Sequence, residues 1–415
     1  MAISHLRGTS SEMGCSSSSP SFASRPSSSS SSSVAALPRS SEPGARRRLT
    51  VLPRLPGQRR GSRQAARNEA PAAGDPVATG RGRPGRRKES IRPDVGANAA
   101  SEGVQRAGGA AFKNLPVVYG SRSRPGSNAQ KKRKTNQDTF VVQDCFGDMN
   151  NQSMVAVFDG HGPNGHVASR VVRDLLQYAW LDAIGSGDIH KVWASSKALE
   201  RATRKAFVET NKKVAQCKVD MNISGTTGTT MLLCENLLLA ANVGDSRIVV
   251  GKQMGGTVRA YDLTRDHKPD EKDEEKRILA ADGRVFNWGV PRVWLKNIDM
   301  PGLAVSRSFG DLAAESVGVF AEPEIKRFTM APQHRVIIAA SDGVWEFISS
   351  QEAVDIAMQY CSKRAPGAAR GDDPQAACDA LVEESVRRWN NEEAVVDDIT
   401  AVVLFLSYRD QSGSS

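Results

Sequence analysis

Short apolar runs, rich in β-branched residues and bounded by turn residues, recur along the chain from about residue 115. Seven of them predict strands, at 139–142, 154–158, 231–233, 237–243, 247–250, 335–340 and 400–406. Helix-like segments lie between them, at about 164–184, 195–217, 270–281, 351–362 and 374–390. Because the helices come in pairs and do not alternate with the strands, we expect an α+β fold. Its centre would be an antiparallel β-sandwich flanked by helix pairs, an α-β-β-α arrangement.

The composition divides the 415 residues into a basic tail and a nearly neutral body. Up to residue 107 there are 18 Lys and Arg against 7 Asp and Glu, whereas the remainder carries 38 against 39. The tail is rich in Ser, Arg, Pro and Gly and cannot bury enough apolar surface to fold. We therefore predict a disordered tail at 1–112, one domain at 113–409 and a short tail at 410–415. The net charge of +10 does not indicate that the body binds nucleic acid.

The six cysteines are scattered without close pairs such as C-x-x-C. This spacing favours reduced thiols in an intracellular compartment and argues against a zinc site or a disulfide framework. No run approaches the roughly 18 apolar residues that a membrane-spanning helix needs.

Carboxylates stand at the ends of four predicted strands. They are Asp159 after "VAVF", Asp245 after "LLLAANVG", Asp342 after "RVIIAAS", and Asp397 with Asp398 before "ITAVVLFL". If these strands share a sandwich, their ends meet at one edge and the carboxylates cluster there, where cations must neutralise them. Oxygen ligands without His or Cys select hard ions such as Mg²⁺ or Mn²⁺. The alternative is ordinary Asp-Gly turns, which are common singly.

Glycine and histidine accompany the first of these carboxylates. Gly160 and Gly343 each follow an aspartate, and a glycine lets the backbone approach an ion closely. Two ions about 3.5–4 Å apart can stabilise an in-line displacement at phosphorus. His161 could then give a proton to a departing alkoxide, although a locally hydrogen-bonded turn residue is the simpler interpretation of one histidine.

Nine motifs in order resemble those of the metal-dependent protein serine/threonine phosphatases of the type 2C family, most closely the plant members. They span about residues 116 to 407 and read "TNQDTF", "VFDGHGPNG", "SGTTGTT", "ANVGDSR", "LTRDHKP", "PGLAVSRSFGD", "AEPEI", "ASDGVWEF" and "VDDITAVV". The resemblance implies a β-sandwich with a two-metal site at one edge. It also implies an enzyme that hydrolyses phosphoserine and phosphothreonine in proteins, by attack of metal-bound hydroxide.

The resemblance also assigns roles to individual residues. Two Mg²⁺ or Mn²⁺ ions would be held by Asp159 as the bridging ligand and by the Gly160 carbonyl, Asp342 and Asp397, with Asp138 binding through water. Asp245 matches the position of a weaker third ion in some members, and His161 matches the proposed general acid. Asp398 stands where many members carry Asn.

A phosphate-binding cation and a flap beside the cleft are also implied. Arg133 matches the phosphate-binding position, with Lys134 as an alternative, and a solvated or nuclear-localising basic run at 131–134 is a further interpretation. Arg292, Trp294 and Lys296 would form a basic, aromatic lip on the flap. Alternatively, Trp294 packs into the body.

The tail allows several interpretations. It resembles a plastid transit peptide, which would direct the protein to the chloroplast. A translation start at Met13 would present Gly14 and Cys15 for acylation and membrane anchoring. Residues 80–88, "GRGRPGRRK", resemble an AT-hook for A·T-rich DNA. A further interpretation is that all three are chance matches in a low-complexity extension. The protein would then be located in the cytoplasm or nucleus. We expect a monomer acting on phosphorylated proteins; the alternatives are an inactive phosphatase-like scaffold and a DNA-associated protein that uses its basic tail.

Overall fold

The computed structural model describes residues 105–106, 110–111, 117–148, 151–184, 189–361 and 371–406. All of them belong to the second of two units into which the chain divides, Pro93–Ser415. The strands are β1 (Gln105–Arg106), β2 (Ala110–Ala111), β3 (Val117–Arg124), β4 (Thr139–Gln143), β5 (Gln152–Phe158), β6 (Gly160–His161), β7 (Gly225–Thr226), β8 (Gly228–Cys234), β9 (Leu237–Val243), β10 (Arg247–Met254), β11 (Thr257–Asp262), β12 (Arg284–Trp288), β13 (Val290–Trp294), β14 (Pro301–Leu303), β15 (Phe309–Gly310), β16 (Glu324–Thr329), β17 (His334–Ala340) and β18 (Ile399–Leu406).

The helices are α1 (Gly165–Ile184), α2 (Ile189–Ala194), α3 (Ser196–Val214), α4 (Lys272–Ala280), α5 (Leu312–Glu315), α6 (Asp342–Trp345), α7 (Ser350–Met358) and α8 (Pro374–Glu392), with a 3₁₀ turn at Phe146–Asp148. None of these helices is long and apolar enough to cross a bilayer.

Two antiparallel sheets form the centre of the fold. One has the strand order β1-β3-β18-β17-β10-β11, with β2 also paired to β3, and the other has the order β16-β9-β8-β5-β4. The predicted α+β architecture with a central antiparallel sandwich is confirmed. Two smaller sheets, β12-β13-β14 and β15-β7-β6, lie outside this pair.

The alternation of side chains along β5 shows how the layers pack. Every residue of β5 is buried, and its last five residues, 154–158, form one continuous apolar run. Val155 and Val157 join the core that both sheets share. Their neighbours Met154, Ala156 and Phe158 face the other way and pack with residues of α1 and α3. A shift of one residue in register would exchange these two sets.

The other sheet is covered in the same way by the second helix pair. Residues of β17 and β18 pack with those of α7 and α8 in one buried cluster. Helix α7 begins with a capping box, in which Ser349 accepts from the N–H of Glu352 and the Glu352 carboxylate accepts from the N–H of Ser349. The sandwich is therefore closed on both faces, and its strand ends remain available at the rim.

Candidate active site

A cleft with a volume of about 290 Å³ opens at the rim of the sandwich. Four of the strand-end carboxylates line it: Asp159 after β5, Asp245 between β9 and β10, Asp342 after β17, and Asp397 before β18. They come from both sheets and are brought together as the strand-end pattern predicted. Gly160, His161 and Arg292 line the same cleft.

Two carboxylate oxygens near this rim lack any hydrogen-bond partner. Asp138 is only 5% exposed; its Oδ2 accepts from the Ser341 hydroxyl at 2.8 Å, and its Oδ1 has no partner. Oδ1 of Asp342 is likewise buried and unpartnered. Buried carboxylate oxygens are costly when unsatisfied, and each unpartnered atom is therefore available to a cation.

Burial and mutual repulsion disfavour the ionised form of these acids. Burial raises the pKa of Asp342 to about 7, and the charges of Asp245 and Asp397 add to the effect. The pKa of Asp159 lies well above its ordinary value because of burial, with Asp138 and Asp342 as the next contributors. A bound cation would remove both the desolvation penalty and the repulsion.

The donor set fits a hard divalent cation, because the cleft offers carboxylate and carbonyl oxygens. Among the described residues, no group of three or more His, Cys, Asp and Glu side chains is arranged so that it could hold a metal ion. Two of the carboxylates are instead bound by lysines of the chain. Lys134 Nζ lies 2.8 Å from Asp397 Oδ1, and Lys268 Nζ is paired with Asp245 Oδ2.

The "SGTTGTT" segment holds the backbone of Asp159 in place. The N–H of Asp159 donates to Thr227 Oγ1 at 3.0 Å, and its carbonyl accepts from the Thr227 N–H and the Thr226 hydroxyl. A Cβ at Gly160 would lie 2.3 Å from the carbonyl oxygen of Gly165. Close backbone packing alone therefore requires glycine at position 160.

Gly343 and Asp398 form a second close contact. A Cβ at Gly343 would lie 2.1 Å from the carbonyl oxygen of Asp398. The Asp398 carboxylate accepts from the N–H groups of Gly126 at 2.6 Å and Gln137 at 2.9 Å. Asp398 thus connects the segment before β4 to the start of β18 through hydrogen bonds.

His161 is paired with Asp311, a residue to which the sequence assigned no role. His161 Nε2 lies 2.6 Å from Asp311 Oδ2, which also accepts from the Ser308 hydroxyl at 2.6 Å. Burial would lower the pKa of His161, but the charge and hydrogen bond of Asp311 outweigh it and raise the pKa. Asp311 ends the "SRSFGD" motif, and 150 residues separate it from His161.

The two candidate phosphate-binding cations are placed differently. Arg133 is exposed, and its backbone forms a bridge with Ser127. The ammonium group of Lys134 contacts Asp397. Of the two, Lys134 is therefore the cation that contacts a cleft carboxylate.

The expected lip of the flap is only partly present. Arg292 in β13 lines the cleft and donates to the Gly302 carbonyl at 2.6 Å. Trp294 is 4% exposed and stacks between Phe286 and Trp288, with ring centroids 4.7 and 5.5 Å away. Of the two interpretations of Trp294, its burial agrees with a packed ring and not with a lip, and the ring packs within the small sheet.

The flap also carries the predicted Lys296 and exposed aromatic side chains. Lys296 is exposed and forms an ion pair with Asp282 at 3.0 Å. The most exposed aromatic residue of the small sheet is Trp288, at 56%, followed by Phe286 at 39%. Trp288 and Trp294 stack on the same face of the small sheet, so strand alternation does not distinguish them, and the sequence motif alone did not reveal which of the two is covered.

An oxygen-rich acidic cleft at the rim of an α-β-β-α sandwich is the arrangement of a metal-dependent phosphatase. The model of the Protein phosphatase 2C family matches residues 123–393. Probable protein phosphatase 2C 64 of Oryza sativa subsp. japonica is 36% identical over 299 residues, covering 69% of this chain and 66% of the relative. Probable protein phosphatase 2C 35 of Arabidopsis thaliana is 32% identical over 314 residues, covering 70% and 84%.

A solved structure shares the fold. The crystal structure of serine-threonine phosphatase 2C from Toxoplasma gondii has a TM-score of 0.61 at 23% identity, covering 73% of this chain and 99% of that one. The chain therefore belongs to the protein phosphatase 2C family. It is a protein serine/threonine phosphatase of a metal-dependent class.

Proposed function

We propose that the cleft at the sandwich rim is the site where this chain removes phosphate from phosphoserine and phosphothreonine in proteins, with two Mg²⁺ or Mn²⁺ ions. The observation that carries the proposal is the convergence of Asp159, Asp342 and Asp397, with unpartnered oxygens on Asp138 and Asp342. Carboxylates clustered in this number at a partly buried rim need cations to remain ionised.

The ligand roles are those that the resemblance to the type 2C phosphatases implies. Asp159 would be the ligand shared by the ions, with the Gly160 carbonyl, Asp342 and Asp397 as further direct ligands. Asp138, which is 5% exposed, would bind through water. When bound, the ions supply charge neutralisation and an activated water as the nucleophile. Asp245 would hold a third ion only after it leaves Lys268.

The remaining groups of the cleft act on the substrate. His161, held by Asp311, would donate its proton to the serine or threonine oxygen as the phosphate ester bond breaks. Lys134 places a positive charge beside Asp397, where it can attract the phosphate dianion. Arg133 is the weaker candidate for this role because it is exposed.

The substrate surface would continue from the cleft onto the flap. Arg292 lines the cleft, and β12 of the same small sheet carries the exposed Trp288. A phosphoprotein segment lying in the cleft would meet both side chains. The transit-peptide, acylation and AT-hook interpretations of the tail concern residues outside the described part of the chain. No observation favours the scaffold or the DNA-associated alternative.

The test is phosphate release from a phosphothreonine peptide by the full chain, with Mn²⁺ and with EDTA. We expect metal-dependent release that Asp159→Asn abolishes. Asp174→Asn is the matched control, because Asp174 lies on the exposed surface of α1 in an ion pair with Arg173. If folded chain released no phosphate at millimolar Mn²⁺, or if both variants behaved alike, the proposed site would be wrong.

A further inference from the structure

Two lysine ammonium groups contact carboxylates that line the acidic cleft. Lys268 lies between β11 and α4, and its side chain is 36% exposed while that of its partner Asp245 is 5% exposed. Lys134 reaches Asp397 from the segment before β4. Each ammonium contacts a carboxylate that is also a candidate ligand for a divalent cation.

Four of the acids at the rim therefore fall into two groups. Asp138 and Asp342 keep unpartnered oxygens, whereas Asp245 and Asp397 are bound by lysine. Of the two lysine-bound acids, Asp245 is the more deeply buried, because the Asp397 side chain is 45% exposed. An ion pair around a buried carboxylate is costly to break, because the acid would be left without a counter-charge.

We propose that Lys268 is a built-in cation at the third-ion position. Its ammonium satisfies Asp245 in the metal-free chain, and a divalent ion can bind Asp245 only by displacing it. Lys268 is thus a positioning residue that sets how many ions the cleft holds and how tightly the additional ion binds. The inference rests on the proposed function only in taking the cleft to be a metal site.

The displacement has a thermodynamic consequence that can be measured without catalysis. Because Lys268 and an ion compete for one carboxylate, removing the ammonium should tighten binding of the ion. Removing it should also destabilise the metal-free chain, because Asp245 is then buried without a partner. Both effects should disappear when Asp245 is neutralised as well.

The experiment is Mn²⁺ titration calorimetry, with thermal unfolding in EDTA, on the full chain and on Lys268→Met. We expect Lys268→Met to bind one more Mn²⁺ than the parent, or to bind the weakest ion about 5- to 150-fold more tightly, the usual range of coupling between two sites. Lys268→Arg keeps the charge and should behave like the parent. Lys212→Met, which removes an exposed lysine paired with Glu209, is the matched control.

The double variant Asp245→Asn/Lys268→Met completes the test. It should unfold in EDTA at a higher temperature than Lys268→Met and should lack the added or tightened ion. If Lys268→Met does not fold in EDTA, recovery of folding by Mn²⁺, absent from the double variant, supports the proposal. Lack of such recovery overturns it.

The outcomes separate this inference from the proposed function. A parent chain that binds no Mn²⁺ would contradict the metal site itself. A parent that binds Mn²⁺, with Lys268→Met binding the same number of ions at the same affinity, would overturn only the role of Lys268. An effect that Lys268→Arg fails to rescue would also overturn it, because the charge would then not be the cause.

Discussion

Replacing Asp311 by asparagine tests how the cleft controls its proton donor. Asp311 is 1% exposed and contacts His161 Nε2 at 2.6 Å. Asparagine keeps the shape but loses the negative charge that raises the pKa of His161. Its amide can also donate toward the ring and so favour the other tautomer. A correctly placed general acid contributes about 10²–10⁴-fold to the rate, and we expect a loss of that size.

The assay compares two substrates with different leaving groups. The loss in kcat should appear with a phosphothreonine peptide, because its alkoxide needs a proton as it departs. It should be small with p-nitrophenyl phosphate, because that leaving group is a stable anion. Ser308→Ala is the matched control: it removes the hydrogen bond from the Ser308 hydroxyl to Asp311 and keeps the Asp311 charge, so we expect less than about a tenfold loss.

A second variant shows whether the two residues act as one unit. His161→Ala should lose about as much peptide activity as Asp311→Asn, and the double variant should lose little more. Equal loss on both substrates in folded protein would show that Asp311 merely supports the cleft. Full activity of Asp311→Asn on the peptide would refute the assignment.

Three further predictions concern stability and substrate contact. Glu274→Gln should cost about 3–5 kcal/mol in urea unfolding, because it breaks a buried ionic cluster. Burial would raise the pKa of Glu274, but hydrogen bonds from its arginine partners outweigh burial and lower the pKa below the ordinary value of 4.5. The carboxylate therefore stabilises the fold above pH 4.5, and this stabilisation is lost as the pH falls, so parent and variant should converge in acid. Trp288→Ala should raise the KM of a phosphothreonine peptide roughly threefold to tenfold and leave the KM of p-nitrophenyl phosphate unchanged. If parent and variant had the same KM for the peptide, Trp288 would be excluded from the substrate surface. Gly343→Ala should cost about 1–3 kcal/mol through its clash with Asp398, whereas Gly256→Ala, which faces open space, should be neutral.

Hydrophobic pattern predicted the buried strands well, because those strands are covered on both faces. All seven predicted strands and all five helices are present, with small shifts at their ends. Strand β3 was missed because its buried centre, 120–123, reads "GSRS". A Cβ at Gly120 would lie 2.3 Å from the Pro374 carbonyl oxygen, and Arg122 forms ion pairs with Asp379 and Glu383. Here close approach of α8 selects small and paired polar residues, so no apolar run exists to detect.

The site was predictable to the extent that it depends on strand ends. Asp159, Asp245 and Asp342 follow apolar runs, and such runs show where a buried strand reaches the rim. The partner of His161 was not predictable in this way, because Asp311 follows no long strand and adopts a left-handed backbone conformation at φ 49°. The choice between Arg133 and Lys134 depended on the direction of one residue in an irregular segment, and the local sequence carries no period there.

The aspartates at the rim share a residue type but differ in what lies opposite each one, and that difference determines their chemistry. Asp398 accepts from two backbone N–H groups and so connects two segments of the chain. Asp311 contacts the imidazole of His161 and favours its protonated form. Asp245 faces an ammonium, whereas Asp138 and Asp342 keep oxygens that nothing in the described chain satisfies. A carboxylate that a group of the protein already neutralises can bind a metal only by releasing that group. The strand-end pattern therefore locates the acids, but their partners decide which of them are ligands, and exchanging one partner, as in Lys268→Met, should turn a structural aspartate into a ligand.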